Sequence, residues 1–276
     1  MSVHGWSARR ACKAIGLERS SWNYDPKPDR NAGLRVRLRE LAAQYPRWGH
    51  PMIHDLLRRE SRVNHKRSER IYREEKLSLR LKHRNKRVRN LREAIPLPER
   101  PDEVWSMDFI HDQLFNHRWF KSLTILDHCT RESPAIGVAH SIPGTAVVEA
   151  LEGLRLSGRK PKVLLLDNGP EFTSRALARW ASLHAVKLQF IEPGRPTQHG
   201  HIESFNGRLR SECLSANWFG SIEEAQLVIE SWRSQYNTIR PHSSLAGKTP
   251  KEVADGFTQV LESDNPPVPL RAKVVQ

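Results

Sequence analysis

At 276 residues the chain is long for one compact domain and sufficient for two, so it can bury a sizeable core. A net charge of +14 and a pI near 10.1 point to a polyanionic partner, nucleic acid ahead of an anionic membrane surface. Three scattered cysteines (Cys12, Cys129, Cys213), an apolar run no longer than Val163–Leu166 and an N-terminus without an apolar signal core argue against a disulfide scaffold, a membrane span and a secreted protein, leaving a cytoplasmic one as the expectation.

The charge is unevenly placed. Residues 1–95 hold 25 Lys and Arg against 10 Asp and Glu, and the remainder holds 20 against 21. A basic head on a nearly neutral body separates a part that grips phosphates from a part that does something else, and predicts strongly salt-dependent binding.

After an N-terminal helical segment (1–31), residues 32–95 read as a basic helix-turn-helix-like region. Leu34, Leu38, Leu41 and Tyr45 share one helical face. Pro46 to Gly49 interrupts the pattern, and Pro51 suits the first turn of a second helix with Ile53, Leu56 and Leu57 inward. Asn64 is placed to cap a third helix that buries Ile71 and Tyr72 and carries Lys66, Arg67 and Arg70, candidate DNA contacts; the competing reading is an ordinary solvated basic face. Residues 96–102 (PLPERPD) read as a proline linker.

Beyond it the period changes to that of strands: Glu103–Ile110, Phe120–Asp127 and Ser133–His140, with no helix between them and so expected as antiparallel neighbours. Helix (Thr145–Leu156), strand (Lys162–Leu166), helix (Arg175–His184) and strand (Val186–Ile191) follow, then helices at His201–Leu214 and Ser221–Thr238. The expected fold is α/β, a mixed sheet flanked by helices over 103–257. A tail from 258, with Pro266, Pro267 and Pro269, is expected to be poorly ordered. The tryptophans, Trp48 and Trp105 among them, are expected in the core.

Three carboxylates stand out. Asp108 sits in a strand on the face of Val104, Ser106 and Ile110, where a carboxylate must be paired, protonated or metal-bound. Asp167 ends a strand and runs into the turn pair Asn168-Gly169, at the strand end where open α/β sheets place ligands. Glu203 shares a helical face with Asn206, Gly207 and Arg210. Alone, each has a plain alternative: salt bridge, turn cap or solvated surface acid. Together they are oxygen donors of the kind Mg²⁺ requires, and paired metal ions activate a nucleophile and stabilise a leaving oxygen in phosphodiester chemistry.

Between Asp167 and Glu203 lie 35 residues. That spacing and the words WSMDF, LDNGPEFTS, GHIESFNGRLRSECL, YNTIRPHSSLAGKTP and YPRWGHPMIHDLLRRE resemble the second-frame (OrfB) products of insertion-sequence transposases of the IS-three type. These belong to the Asp-Asp-35-Glu superfamily of retroviral integrases. The resemblance implies an RNase H-like integrase catalytic core and Asp108, Asp167 and Glu203 as catalytic metal ligands. It also implies two Mg²⁺ ions (Mn²⁺ as substitute) and DNA strand transfer by a 3′-hydroxyl at terminal repeats into target DNA. As partners it implies an upstream-frame OrfA-type product and a homo-oligomer assembled on DNA; as location, the bacterial cytoplasm with the nucleoid. His199 departs from the family's usual Asn. Asn206, Arg208 and Arg210 are further candidates for DNA phosphates. His50 and His54 have a zinc-helix spacing, but no Cys-x-x-Cys follows and a zinc site is not expected. A non-catalytic DNA-binding regulator and an RNase H-type nuclease without joining activity remain the alternatives.

Overall fold

The computed structural model describes residues 6–25, 29–80, 98–191 and 200–262. The chain divides into two compact units. Among the described residues, five helices precede the first strand: α1 (Ala8–Ala14), α2 (Arg19–Trp22), α3 (Ala32–Gln44), α4 (His50–Glu60) and α5 (His65–Glu74).

The first unit takes the chain up to Pro46 together with Asn64–Leu77, and so holds α1, α2, α3 and α5. Its interior includes Leu38 and Leu41 from α3 and Ile71 and Tyr72 from α5, as their spacing predicts. The Asn64 side chain accepts from the Lys66 N–H and caps α5. Much of the positive charge here is paired internally. Arg35 meets Asp29, Glu74 and Glu75 at 2.7, 2.5 and 2.8 Å, and Arg39 also reaches Glu75.

The second unit takes Arg47–Val63 together with the chain from Ser78 onward. By this division α3 and α5 fall in the first unit, while α4 falls in the second. The physical reason is its contacts: Arg59 bonds Glu252 at 3.0 Å and the Gly247 carbonyl at 3.3 Å, and the Arg240 guanidinium lies 5.7 Å from the Trp48 ring.

The sheet of this unit contains β1 (Val104–Gln113), β2 (Trp119–Asp127), β3 (Ile136–Ala139), β4 (Val163–Leu166) and β5 (Lys187–Phe190), in the order β3-β2-β1-β4-β5. β1–β2 and β2–β3 are antiparallel, as expected where no helix intervenes, while β4 joins β1, and β5 joins β4, in parallel. β1 runs three residues past its expected end because Leu114 is buried beside Phe120 and extends the hairpin.

Helices α6 (Gly144–Leu156) and α7 (Arg175–Leu183) cover one face of the sheet, over Trp105, Met107, Leu123 and Ile125. Helices α8 (Gly200–Glu212) and α9 (Ile222–Thr238) cover the other, over Ile110, Phe120 and Leu126. Helices thus pack on both faces of the sheet, burying β2 and β4 most fully, while the edge strand β5 stays largely exposed. A last helix, α10 (Pro250–Glu262), continues past residue 257, where the sequence suggests a tail begins; Thr249 caps it by accepting from the Glu252 N–H at 3.1 Å. The remainder of that tail, residues 81–97 and His199 lie outside the described residues. No helix among the described residues is long and apolar enough to cross a membrane.

Candidate active site

β1 and β4 run parallel with Ser106 opposite Leu165. Continuing that register by two residues sets Asp108 alongside Asp167, on neighbouring chains about 4.8 Å apart. Like charge and burial both act on Asp108. Burial, first, and then the Asp167 carboxylate raise the Asp108 pKa, against the lowering effect of two donors, the Phe109 N–H at 2.7 Å and the Asn206 amide at 2.8 Å. Asp167 accepts the Gly169 N–H at 2.9 Å, which folds the Asn168-Gly169 turn back over it. A Cβ on Gly169 would stand 3.0 Å from the Asp167 carboxylate and 3.5 Å from that of Glu171, so glycine here keeps the pocket between these acids open.

Helix α8 lies along β1. Asn206 donates to Asp108, and one turn further on the Arg210 guanidinium donates to the His111 carbonyl at 3.3 Å. Glu203 is exposed on the Asn206 face of α8, one turn nearer its N-terminus. Among the described residues no three His, Cys, Asp or Glu side chains are close enough to share a metal ion. The structure thus brings Asp108 and Asp167 together and leaves Glu203 apart from them. The donor chemistry still suits a hard cation: the Asp108 carboxylate is pressed by that of Asp167, and among the described residues the buried Asn206 Oδ1 accepts no hydrogen bond, an open acceptor for water carried by a hydrated ion.

Comparison with known proteins accords with this arrangement. The Integrase core domain family matches residues 98–196 and, in a second form, 184–250; an HTH-like domain family matches 28–87. An insertion element IS407 protein of Burkholderia multivorans is 46% identical over 90% of this chain and 90% of its own length. An insertion element IS476 protein of Xanthomonas euvesicatoria is 44% identical over 91% of this chain and 73% of its own. The chain belongs to the insertion-sequence transposases with an integrase core. A transposase InsK of element IS150 from Escherichia coli is a more distant relative, 25% identical over 87% of this chain and 90% of its own. In fold, the transposase resembles a protein of the simian T-cell lymphotropic virus intasome, with a TM-score of 0.54 at 17% identity, covering 86% of this chain and 79% of that one. Membership places the transposase among polynucleotidyl transferases that act in DNA integration and recombination.

The other residues singled out from sequence take different positions in this transposase. Asn206 turns inward to Asp108 rather than outward to a phosphate. Arg208 is half-buried beside the Tyr236 hydroxyl and the Arg131 guanidinium. Arg210 is exposed. On α5, Lys66 is exposed, Arg67 bonds Asn31 at 2.9 Å within its own unit, and Arg70 lies 3.5 Å from Glu74. His50 and His54 are buried with their rings 5.6 Å apart. The tryptophans do not all lie in the core. Trp48, Trp105, Trp180 and Trp232 are buried, whereas Trp6, Trp22, Trp119 and Trp218 are exposed, because these last four occupy termini, strand ends and loops rather than packed faces.

Sequence reasoning missed Lys121 and Glu171. Their side chains meet at 2.6 Å, and the Lys121 ammonium sits 5.6 Å from the Phe109 ring, which stacks on Phe172 at 4.9 Å. This bridge ties β2 to the loop that follows Asp167, and Lys121 holds the Glu171 carboxyl below its usual range. A lysine alternating with Leu123 and Ile125 along a strand was the available signal. Asp127 was also missed. It is buried and accepts from the Asp102, Cys129 and Thr130 N–H groups, the Thr130 hydroxyl and the Trp105 indole, so its oxygens are committed to the turn and leave no room for a metal.

Proposed function

We propose that the transposase performs metal-dependent cleavage and strand transfer at insertion-sequence ends, with Asp108, Asp167 and Glu203 as the catalytic, metal-holding carboxylates. The observation that carries this reading is the parallel β1–β4 register, which sets Asp108 and Asp167 side by side where their charge calls for a cation. Glu203 stands on the same face of α8 as Asn206 and would be the third carboxylate to hold the metal.

Two bound Mg²⁺ ions, or Mn²⁺, would supply charge stabilisation at the attacking and leaving oxygens of the phosphodiester. The chain's own groups do the rest. Asn206 and the Phe109 N–H hold Asp108 through one hydrogen bond to each of its oxygens. The Gly169 N–H fixes Asp167 at the strand end. Lys121 draws Glu171 aside, so that a fourth carboxylate does not crowd the centre. Arg210 extends the positive surface from the carboxylates along α8, where it meets the scissile-strand backbone. Lys66 and Arg70 on α5 present cations for flanking duplex, with Arg67 bracing the N-terminus of α3. The protein acts in the bacterial cytoplasm at the nucleoid, assembles as an oligomer on DNA, and is completed by an OrfA-type upstream-frame product.

The test is joining of labelled terminal-repeat DNA in Mg²⁺ by the purified chain, alone and as the frameshift fusion. Joined product that disappears in Asp108→Ala, Asp167→Ala and Glu203→Ala, each still folded, is the expected result. Cleavage without joining would leave a nuclease, and undiminished joining by any one variant would remove that residue from the site.

A further inference from the structure

Two large aromatic rings stand in solvent at the end of β1. Phe115 is 71% and Trp218 84% exposed, and their rings meet edge to face with centroids 6.4 Å apart. Their presentation is built rather than loose. The Phe115 N–H donates to the Phe219 carbonyl at 2.8 Å, and Phe219 is buried edge-on against Phe120 at 5.8 Å. Asn217 is held by the Cys213 carbonyl at 2.8 Å, and Gly220 by Glu224 at 2.7 Å. An anchored backbone on either side therefore displays both rings, although burial would stabilise each of them by a few kcal/mol.

The pair also lies at the end of a continuous line. Asn206 meets Asp108, Arg210 meets His111, and Phe219 meets Phe115, so contacts between β1 and the chain of α8 and its following loop run from the carboxylates to the rings. Phe115 lies seven positions beyond Asp108, roughly 23 Å of extended chain at about 3.3 Å per residue, or about seven stacked nucleotides at roughly 3.4 Å each. Exposed cations, Arg210 along the line and Arg118 in the hairpin turn, flank it. Asp112 is an acid on this edge, and its Oδ1 is engaged by the Gln113 N–H. Trp119 is exposed too, but alternation along β2 puts it on the sheet's other face from Phe120.

We propose that Phe115 and Trp218 form a stacking platform for unpaired nucleobases of the DNA strand that the carboxylates act on. This rests on the DNA-cleaving reading of the same site. Two rings are too small a patch to hold a second copy of the chain, since stable interfaces bury about 800 Å² per partner. Their size suits one or two bases, and the adjacent guanidiniums suit the phosphates between them.

The test uses the full chain without divalent metal and a duplex bearing a short single-stranded thymidine extension, compared with the same duplex bearing an abasic extension and with a blunt one. The wild type should bind the thymidine extension roughly 5- to 100-fold more tightly than the abasic one. The Phe115→Ala/Trp218→Ala double variant should bind both with the abasic affinity, and Trp218→Tyr should keep most of the difference. A wild type that does not distinguish the two extensions, or a double variant that weakens both equally, would overturn the platform. So would a concentration-dependent dimer that Trp218→Ala abolishes while base discrimination persists. Failure to bind even the blunt duplex would overturn the DNA-cleaving reading as well.

Discussion

Replacing Asn206 tests whether the helix–strand contact orients the site. Its amide donates to the Asp108 carboxylate at 2.8 Å, and that carboxylate is half-buried and pressed by Asp167. A hydrogen bond to a charged group is worth about 1.5–3 kcal/mol. If that energy is realised in the transition state, Asn206→Ala should slow joining about 10- to 150-fold. The deficit should be largest at sub-saturating Mg²⁺, where a misoriented Asp108 costs metal affinity, and partner loss at metal sites has effects of about that size. Asn206→Leu separates the donor from its volume: it restores bulk but offers no N–H, so it should be as slow as Asn206→Ala. The assay is single-turnover joining across an Mg²⁺ titration, with thermal melts to confirm folding. Recovery by Asn206→Leu to near the wild-type rate would show that Asn206 only fills space, and an unchanged Mg²⁺ dependence in Asn206→Ala would refute the orienting role.

Gly144→Ala should destabilise the second unit by about 1–3 kcal/mol, because its Cβ would stand 2.1 Å from the Ser174 hydroxyl that caps α7 and 2.9 Å from the Glu171 carbonyl. Calorimetry should show the melting temperature falling, with partial recovery in Gly144→Ala/Ser174→Gly. Stability should also fall in acid through His242. Burial, then Arg240, Arg208 and Arg131, lower its pKa to about 3, from 6.5 when unfolded, so only the unfolded chain takes up the proton between these values. The contribution is complete above pH 6.5 and lost as pH falls toward 3, at about 1.4 kcal/mol per unit. His201, lowered to about 4, has the same sign, so the measurement is denaturant unfolding of wild type against His242→Phe between these pH values, with the shallower slope expected in the variant. Lys121→Met should cost less than about 1 kcal/mol of stability, since the pair is partly solvated, yet reduce joining, because Glu171 and the loop after Asp167 lose their tether to β2. Equal joining rates for Lys121→Met and wild type would assign the bridge to stability alone.

Much of this was legible along the chain because it depends on local period and capping. The alternation of Val104–Ile110, the cap at Asn64 and the turn after Asp167 are set by residues within a few positions of one another. The family words around Asp108, Asp167 and Glu203 were legible for the same reason. What failed to show were pairings set by distance in sequence. The Lys121–Glu171 bridge spans 50 residues and the Asn206–Asp108 contact 98, and neither has a local signature. The placement of α4 with the catalytic unit depends on Arg59 meeting Glu252, 193 residues away.

By itself, then, the sequence determined the α/β class, the antiparallel order of the first three strands and the family, since hydrophobic period and short motifs are properties of contiguous residues. Only the tertiary structure decided that β4 inserts beside β1 in parallel, so that Asp108 and Asp167 become neighbours and the charge of one bears on the other. It likewise decided that Asn206 faces inward, that Glu203 stands apart, and that Trp218 is exposed while Trp105 is buried. A side chain's role there depends on which surface packs over it, and packing partners are chosen by the fold as a whole rather than by neighbours in the chain.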